Sequence, residues 1–380
     1  MHIIINRERF LHSIQHVTKA ISSRTTIPIL TGIKLMATSE GVTLTGSDSD
    51  ISIESFIPVE ENGEELVQIK NEGSIVLQAK VFPEIVKKLP EDEVEMIVHD
   101  QFATTLRSGS AVFNLNGLDP EEYPRLPQLD ESQLIQLPQD LLKNIIRQTS
   151  FAVSTQETRP VLTGVNFELE EYELSCTATD SHRLALRIAQ VEKNTQQFSF
   201  SNVVIPGKSL NELSKIIEDS SDLIDVIVTQ SQVLFKLKNL LFFSRLLDGK
   251  YPVTKNMIPK HSKTEFTIHS KALLQTLERA LLLSREGKNN VINLKTLADG
   301  MIEITSITPE IGKVTEKIQS IECNGEELRI SFNGKNVIDA LKVIDSEEVR
   351  IVFTGAMSPF VIKPLEHENS LHLFSPVRTY

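Results

Sequence analysis

One stretch of this sequence recurs 132 residues later with no gap. "IPILTGIKLMATSEGVTLTGSDSDISI" (27–53) lies over "RPVLTGVNFELEEYELSCTATDSHRLA" (159–185), so Leu30-Thr31-Gly32 matches Leu162-Thr163-Gly164 and Asp48 matches Asp180. A third, weaker copy reads "NVINLKTLADGMIEITSITPEIGKV" (290–314). A second block repeats as "SIVLQAKVFPEIVKKLP" (74–90), "NVVIPGKSLNELSKIIE" (202–218) and "LRISFNGKNVIDALKVI" (328–344), with Lys80, Lys208 and Lys335 in register. Each copy opens with a third block, "RERFLHSIQHV" (7–17), "PQDLLKNIIRQ" (138–148) and "SKALLQTLERA" (270–280). Two copies close on a Tyr-Pro pair, in "EEYPRLP" (121–127) and "GKYPVTK" (249–255). Solenoid units of roughly 20–50 residues cannot fold singly, whereas a repeat of roughly 125 residues can enclose its own core. The chain therefore reads as three related domains in tandem, 1–127, 128–255 and 256–380.

Within each copy the pattern is strand, helix, strands, then strand, helix, strands. The opening helix, expected over 7–21, places Phe10, Leu11, Ile14, Val17 and Ile21 on one face and His12, Gln15, His16 and Lys19 on the other. The second helix follows Lys80, with Ile85, Val86 and Leu89 inward, Lys87 and Lys88 outward, and Pro90 ending it. "ISIESFI" (51–57) and "VEMIVHD" (94–100) alternate as half-buried strands, and Asn62-Gly63 and Asn324-Gly325 predict hairpin turns. The expected class is α+β: three tandem copies of two amphipathic helices packed on antiparallel sheets.

Composition narrows the function. The net charge is −12, and the three copies hold 11 basic against 19 acidic residues, 13 against 16, and 15 against 16. No copy is basic overall, so contact with nucleic acid requires a local face. The helices supply one: their polar sides carry Lys, Arg, His, Gln and Asn, while acidic residues collect in turns such as "EENGEE" (60–65), "PEDEVE" (90–95), "DPEEY" (119–123) and "ELEEYE" (168–173). Without Trp and with four Tyr, the chain has few platforms for stacking single-stranded bases. No apolar run approaches the ~18 residues of a membrane helix, and the N-terminus lacks the pattern of a secretory signal. Cys176 and Cys323, far apart and without ligand spacing, read as buried or incidental thiols of a cytosolic protein.

Few stretches invite a chemical reading. "PGKSL" (206–210) lacks the glycine that a phosphate loop needs five residues earlier, where Asn202 stands. "DSDISIE" (48–54) has Ile53 at the turning position of a calcium loop. Asp180-Ser181-His182 offers an acid, a nucleophile and a base, the basis of an alternative reading as a Ser/His hydrolase. Adjacent residues rarely converge as a triad, however, and the duplicate, Asp48-Ser49-Asp50, has no histidine. A structural turn, or a binding rim with His182 and Arg183 offering donors beside Leu184, are the other readings. No zinc pattern, nucleophile elbow or dinucleotide fingerprint occurs, which argues against an enzyme and calls for no cofactor and no metal.

"SSRTTIPILTG" (22–32), "ETRPVLTGV" (157–165), "ATDSHRLALR" (178–187), "VVIPGKSL" (203–210), "FFSRLLDGKYP" (242–252) and "SPVRTY" (375–380), in this order and spacing, closely resemble the bacterial sliding clamp, the β subunit of DNA polymerase III. The resemblance spans essentially the whole chain. It implies a head-to-tail homodimeric ring around duplex DNA, cytoplasmic and nucleoid-associated. The ring would tether the replicative polymerase, the clamp loader and other proteins that carry a clamp-binding motif. Residue by residue, it implies DNA proximity for Arg24, Gln156, Arg159, Lys208 and Lys215. It implies a partner-peptide groove between the second and third domains, formed by Leu162, Thr179, Ser181, His182, Arg183, Leu184, Pro252, Leu373, Ser375, Pro376, Val377 and Arg378. Phe113, Leu115, Leu282 and Leu283 match the subunit junction. Pro160-Val161 departs from relatives that place two tyrosines toward DNA, Asn256 replaces a position that can be basic, and Thr379-Tyr380 extend past Arg378.

Overall fold

The computed structural model describes all residues except 23, 127–133, 192–198, 260, 287–289, 310, 379 and 380. The boundary expected at 127/128 and the terminal Thr379-Tyr380 lie outside the described residues. Six helices are seen among these: α1 (Arg7–Thr18), α2 (Phe82–Lys87), α3 (Gln139–Thr149), α4 (Gly207–Ser214), α5 (Ser270–Glu286) and α6 (Gly334–Leu341). They are the two helices of each repeat, in the expected order. None is long and apolar enough to cross a membrane. The chain forms two compact units, Met1–Gln139 with Glu212–Leu246, and Asp140–Asn211 with Leu247–Tyr380. The middle repeat is thus divided between them.

In the first unit, a five-stranded sheet runs in the order Ala111–Asn116, Ala103–Ser108, Glu93–Val98, His2–Asn6, Val67–Asn71. An eight-stranded sheet runs Leu134–Pro138, Leu223–Val228, Gln232–Leu237, Leu240–Arg245, Ile51–Pro58, Gly41–Ser47, Gly32–Thr38, Gly73–Gln78. Four strands of the second repeat are thereby joined to four of the first, through antiparallel pairing of Phe242 with Ile53 and Phe243 with Ser52. Asn6 caps α1, its Oδ1 accepting from the Arg9 amide at 3.1 Å. Phe10, Ser13, Ile14 and Val17 form the buried stripe of α1. The helix ends at Thr18 rather than Ile21, because the amides of Lys19, Ala20 and Ile21 bond three residues back and tighten the last turn. Asn62 and Gly63 adopt φ of 54° and 84°, the left-handed pair that a two-residue hairpin turn requires.

In the second unit, a nine-stranded sheet runs Phe200–Pro206, Gly164–Glu170, Glu173–Thr179, Arg183–Gln190, Ser370–Phe374, Phe360–Pro364, Glu348–Phe353, Thr264–His269, Glu322–Gly325. Here the second repeat joins the third, with Leu184 opposite Leu373 and Leu186 opposite Leu371. A four-stranded sheet runs Gly312–Gln319, Met301–Thr308, Val291–Thr296, Arg329–Asn333. The third-repeat core contains a chain of phenylalanines, with Phe360 5.1 Å from Phe353 and 5.3 Å from Phe332 between ring centroids. The turn expected at Asn324-Gly325 is instead the end of a strand paired to Thr264–His269. Glycine is needed there for φ of 101° and because a Cβ would lie 2.0 Å from the Lys263 carbonyl oxygen.

The duplication extends to atoms. Short 3₁₀ turns at Pro28–Thr31 and Pro160–Thr163 precede Gly32 and Gly164, and each closes with a threonine hydroxyl donating to the proline carbonyl, at 2.8 and 2.7 Å. Leu30, Val76 and Tyr123 pack together in one copy, as Leu162, Val204 and Tyr251 do in the next.

Candidate partner groove and nucleic-acid face

The hairpin at 179–184 decides between the readings of Asp180-Ser181-His182. Asp180 Oδ1 accepts from the backbone amides of His182 and Arg183, at 2.9 and 3.0 Å, and Oδ2 from Arg183 Nε at 3.0 Å. Its carboxylate is thus committed to the turn and to Arg183. Ser181 holds φ of 78°, and the Thr179 hydroxyl accepts from its amide. The duplicate hairpin has the same form: Asp48 Oδ1 accepts from Asp50 and Ile51, the Ser47 hydroxyl from Ser49, and Ser49 has φ of 80°. The motif is an Asx turn that leaves Ser181 and His182 exposed at its tip.

Strand register brings three of the expected groove residues, Thr179, Leu184 and Leu373, side by side next to it. Thr179 lies opposite Leu184, Leu184 opposite Leu373, and Leu373 opposite Val361, so the four stand in one row on one face of the sheet. Leu184, Val361, Leu371 and Leu373 pack together, with Leu186 and Ile258 against them. Leu162 lies in the neighbouring cluster with Val204 and Tyr251. Asn202 bonds both ends of the loop that leads to Pro252, accepting from the Tyr251 amide at 2.7 Å and donating to the Gly249 carbonyl at 2.8 Å. The C-terminal segment crosses the hairpin: Ser375 donates its amide to the His182 carbonyl at 2.9 Å, Pro376 bridges Phe332, and the Val377 amide bonds Ser331. Arg378 is exposed.

Arg183 departs from the expectation that it offers free donors beside Leu184. Strand alternation turns it to the opposite face. There its side chain is 11% exposed, over the Phe151 ring and bonded to Asp180 and Asp339. Asp339, Asn202 and Ile258 were not legible as site residues, because each acts through a partner far away in sequence.

The corresponding row at the other repeat junction is half polar, Ser47 and Ser52 followed by Phe243 and Leu234. Ser47, Ser52 and Phe243 occupy the positions of Thr179, Leu184 and Leu373, and the hydroxyls of Ser47 and Ser52 bond each other at 2.7 Å. Glu54 replaces Leu186, and burial pushes its carboxyl above the ordinary range. The row at Thr179 therefore holds three apolar residues, Leu184, Leu373 and Val361, against two, Phe243 and Leu234, in the row at Ser47.

The residues expected near DNA occupy equivalent loops (Arg24, Gln156, Arg159), the helix α4 (Lys208) and the turn that follows it (Lys215). Ser22 folds the loop at Arg24, donating to its carbonyl and accepting from its amide, and Ser154 does the same for Gln156, 132 residues on. Arg24, Gln156, Arg159, Lys208 and Lys215 are all exposed. The lysines on and just past the second helices are less free than their number suggests, since Lys215 pairs with Glu212, Lys335 with Asp339 and Lys342 with Glu278.

The expected junction residues mark two sheet edges. Phe113 (38% exposed) and Leu115 lie on Ala111–Asn116, the edge of the five-stranded sheet. Leu282 (66% exposed) and Leu283 lie on α5, which packs on the sheet whose edge is Gly312–Gln319. Val112 on the first edge strand, and Ile307 and Ile311 on the strand next to the second edge and the turn between them, add exposed apolar surface that the sequence reading missed.

Family models for the DNA polymerase III β subunit match the chain in succession: the N-terminal domain over 1–127, the central domain over 136–253 and the C-terminal domain over 255–378. This chain belongs to the DNA polymerase III β-subunit family. A β sliding clamp from Halalkalibacterium halodurans is 72% identical over 380 residues, all of both chains, and that of Bacillus subtilis is 58% identical over the same span. The crystal structure of the Bacillus subtilis DNA polymerase sliding clamp matches with a TM-score of 0.97, covering 100% of each chain. A β chain from Streptococcus pneumoniae, 40% identical, matches with a TM-score of 0.95 over 100% of each. The relatives' name denotes a non-catalytic processivity factor, so this β-subunit chain is not read as an enzyme, and the hydrolase alternative has no support.

Proposed function

We propose that this chain is a homodimeric DNA sliding clamp, closed around duplex DNA and holding its partners through one groove per subunit. The supporting observation is an edge junction used twice. Strand Ile51–Pro58 of the first repeat pairs with Leu240–Arg245 of the second, and Arg183–Gln190 of the second with Ser370–Phe374 of the third, so each time an end strand of one repeat's sheet meets the final strand of the next repeat. The equivalent strands, Gly312–Gln319 of the third repeat and Ala111–Asn116 of the first, are sheet edges with no mate on their outer side among the described residues. Two different edges that pair between copies make a heterologous contact, which forms a ring when its rotation closes. Closure after two protomers gives two such contacts, with Phe113 and Leu115 facing Leu282 and Leu283.

A clamp must hold its track without reading it. Phosphate contacts position a protein but carry no sequence information, so exposed cations at Arg24, Arg159, Lys208 and Lys215, with Gln156, suit passage along any duplex. The pairing of Lys215 with Glu212 and the net charge of −12 keep unaided affinity low, and enclosure supplies retention. Domain limits near 127/128 and 255/256, a cytoplasmic, nucleoid-associated location and independence from any cofactor belong to the same reading. The groove of Leu162, Thr179, Ser181, His182, Leu184, Pro252, Leu373, Ser375, Pro376, Val377 and Arg378, with Arg183 behind it, would take an apolar side chain of a short peptide from the replicative polymerase, the clamp loader or another partner.

Equilibrium sedimentation tests the closure. The account expects twice the 42.6 kDa chain mass; a monomer at micromolar concentration would contradict it.

A further inference from the structure

We propose that Asp339, on α6 of the third repeat, is a positioning residue for the partner groove: through Arg183 it fixes the second-repeat wall against the third-repeat wall. The inference rests on the groove reading above and adds a residue that does not line the groove. Arg183 Nη1 donates to Asp339 Oδ2 at 2.9 Å across 156 residues, while its Nε donates to Asp180 at 3.0 Å. The guanidinium lies 5.4 Å from the Phe151 ring centre. One side chain thus ties the hairpin that presents Ser181 and His182 to a helix of the next repeat.

The duplication separates this tie from the folding of the turn. In the first repeat Ile51 stands where Arg183 stands in the second, yet the Asx turn, its serine hydrogen bond and its left-handed serine are all kept. The turn folds without an arginine. Glu212, the counterpart of Asp339 one repeat earlier, bonds Lys215 beside it in sequence at 2.7 Å. This hairpin-to-helix ion pair therefore belongs to the junction with the apolar row of Leu184 and Leu373; at the junction where Ser52 and Glu54 replace leucines the same positions hold Ile51 and Glu212, and a different pair, Lys238 with Glu61 at 2.8 Å, joins the repeats. Lys335 Nζ also approaches Asp339 Oδ2 at 3.3 Å. Removing Arg183 therefore leaves Asp339 a cation, and removing the Asp339 charge leaves Arg183 its Asp180.

The test uses the full-length protein and a fluorescein-labelled peptide of the polymerase's clamp-binding segment, read by anisotropy. Asp339→Asn should weaken binding about tenfold, and Asp339→Glu should restore it to within about twofold of wild type. Asp339→Asn combined with Arg183→Gln should bind no worse than Arg183→Gln alone, since both break one link. Thermal midpoint and sedimented mass should not change with Asp339→Asn. Wild-type affinity in Asp339→Asn, equal weakening by Asn and Glu, or multiplied losses in the double variant would each overturn the inference. His182→Ala distinguishes the two levels. If it weakens the peptide while Asp339→Asn does not, only the positioning role fails; if His182→Ala and Leu373→Ala both bind normally, the groove reading itself fails.

Discussion

His372 is fully buried on strand Ser370–Phe374, with its ring 5.7 Å from that of Phe151, and both its nitrogens lack a hydrogen-bond partner among the described residues. Burial pushes its pKa down to about 4, and burial with His12 and Lys19 does the same to His16. The unfolded chain takes up these protons near pH 6.5, the folded chain only near pH 4. Their contribution to stability is therefore full above pH 6.5 and lost as pH falls toward 4. His372→Leu should remove about 2 kcal/mol of the stability difference between pH 7 and pH 5. It should also gain about 1–3 kcal/mol at pH 7, because two buried unpaired nitrogens disappear. Urea unfolding at both pH values checks this, and an unchanged difference would contradict it. At the groove, His182→Ala, or loss of residues 376–380, should weaken a partner peptide several-fold (about 3–10) without altering the dimer. The tip of the hairpin was legible in the sequence because Asp48-Ser49-Asp50 lacks a histidine and so spoke against chemistry. The direction of Arg183 was not, since it depends on Asp339.

At the scale of elements, the repeats told which segments are helices and strands, because each periodicity could be read up to three times. Their ends were less legible. The end of α1 at Thr18 is set by 3₁₀ bonds, and the Asn324-Gly325 strand by pairing with a segment some 60 residues away. Nor could spacing alone reveal that sheets run continuously from one repeat into the next. Gly32 and Gly164 are duplicate glycines whose strands pack too close for a side chain: a Cβ on Gly164 would lie 2.7 Å from the Ile205 carbonyl oxygen and 2.8 Å from Val204. Gly164→Ala should cost about 1–3 kcal/mol, measured as a lower urea midpoint; an unchanged midpoint would mean the strands separate freely there. At the open edges, Leu282→Asp should yield soluble monomers, because a buried charge without a partner costs about 3–5 kcal/mol. A dimer that persists by sedimentation would place the interface elsewhere.

For the whole molecule, the central claim is that retention on DNA comes from enclosure, with the charges of the helices and loops easing movement. The net charge of −12 looked unfavourable to a DNA-binding protein in the sequence, and it fits one whose grip is topological. Local cations suffice when the ring, rather than affinity, prevents escape. The most direct measurement loads the protein with a clamp loader onto a nicked circular plasmid, then compares retention before and after a restriction enzyme linearises it. The account predicts a long-lived complex on the circle that is lost from the free ends of the linear form. Equal retention on both would contradict it.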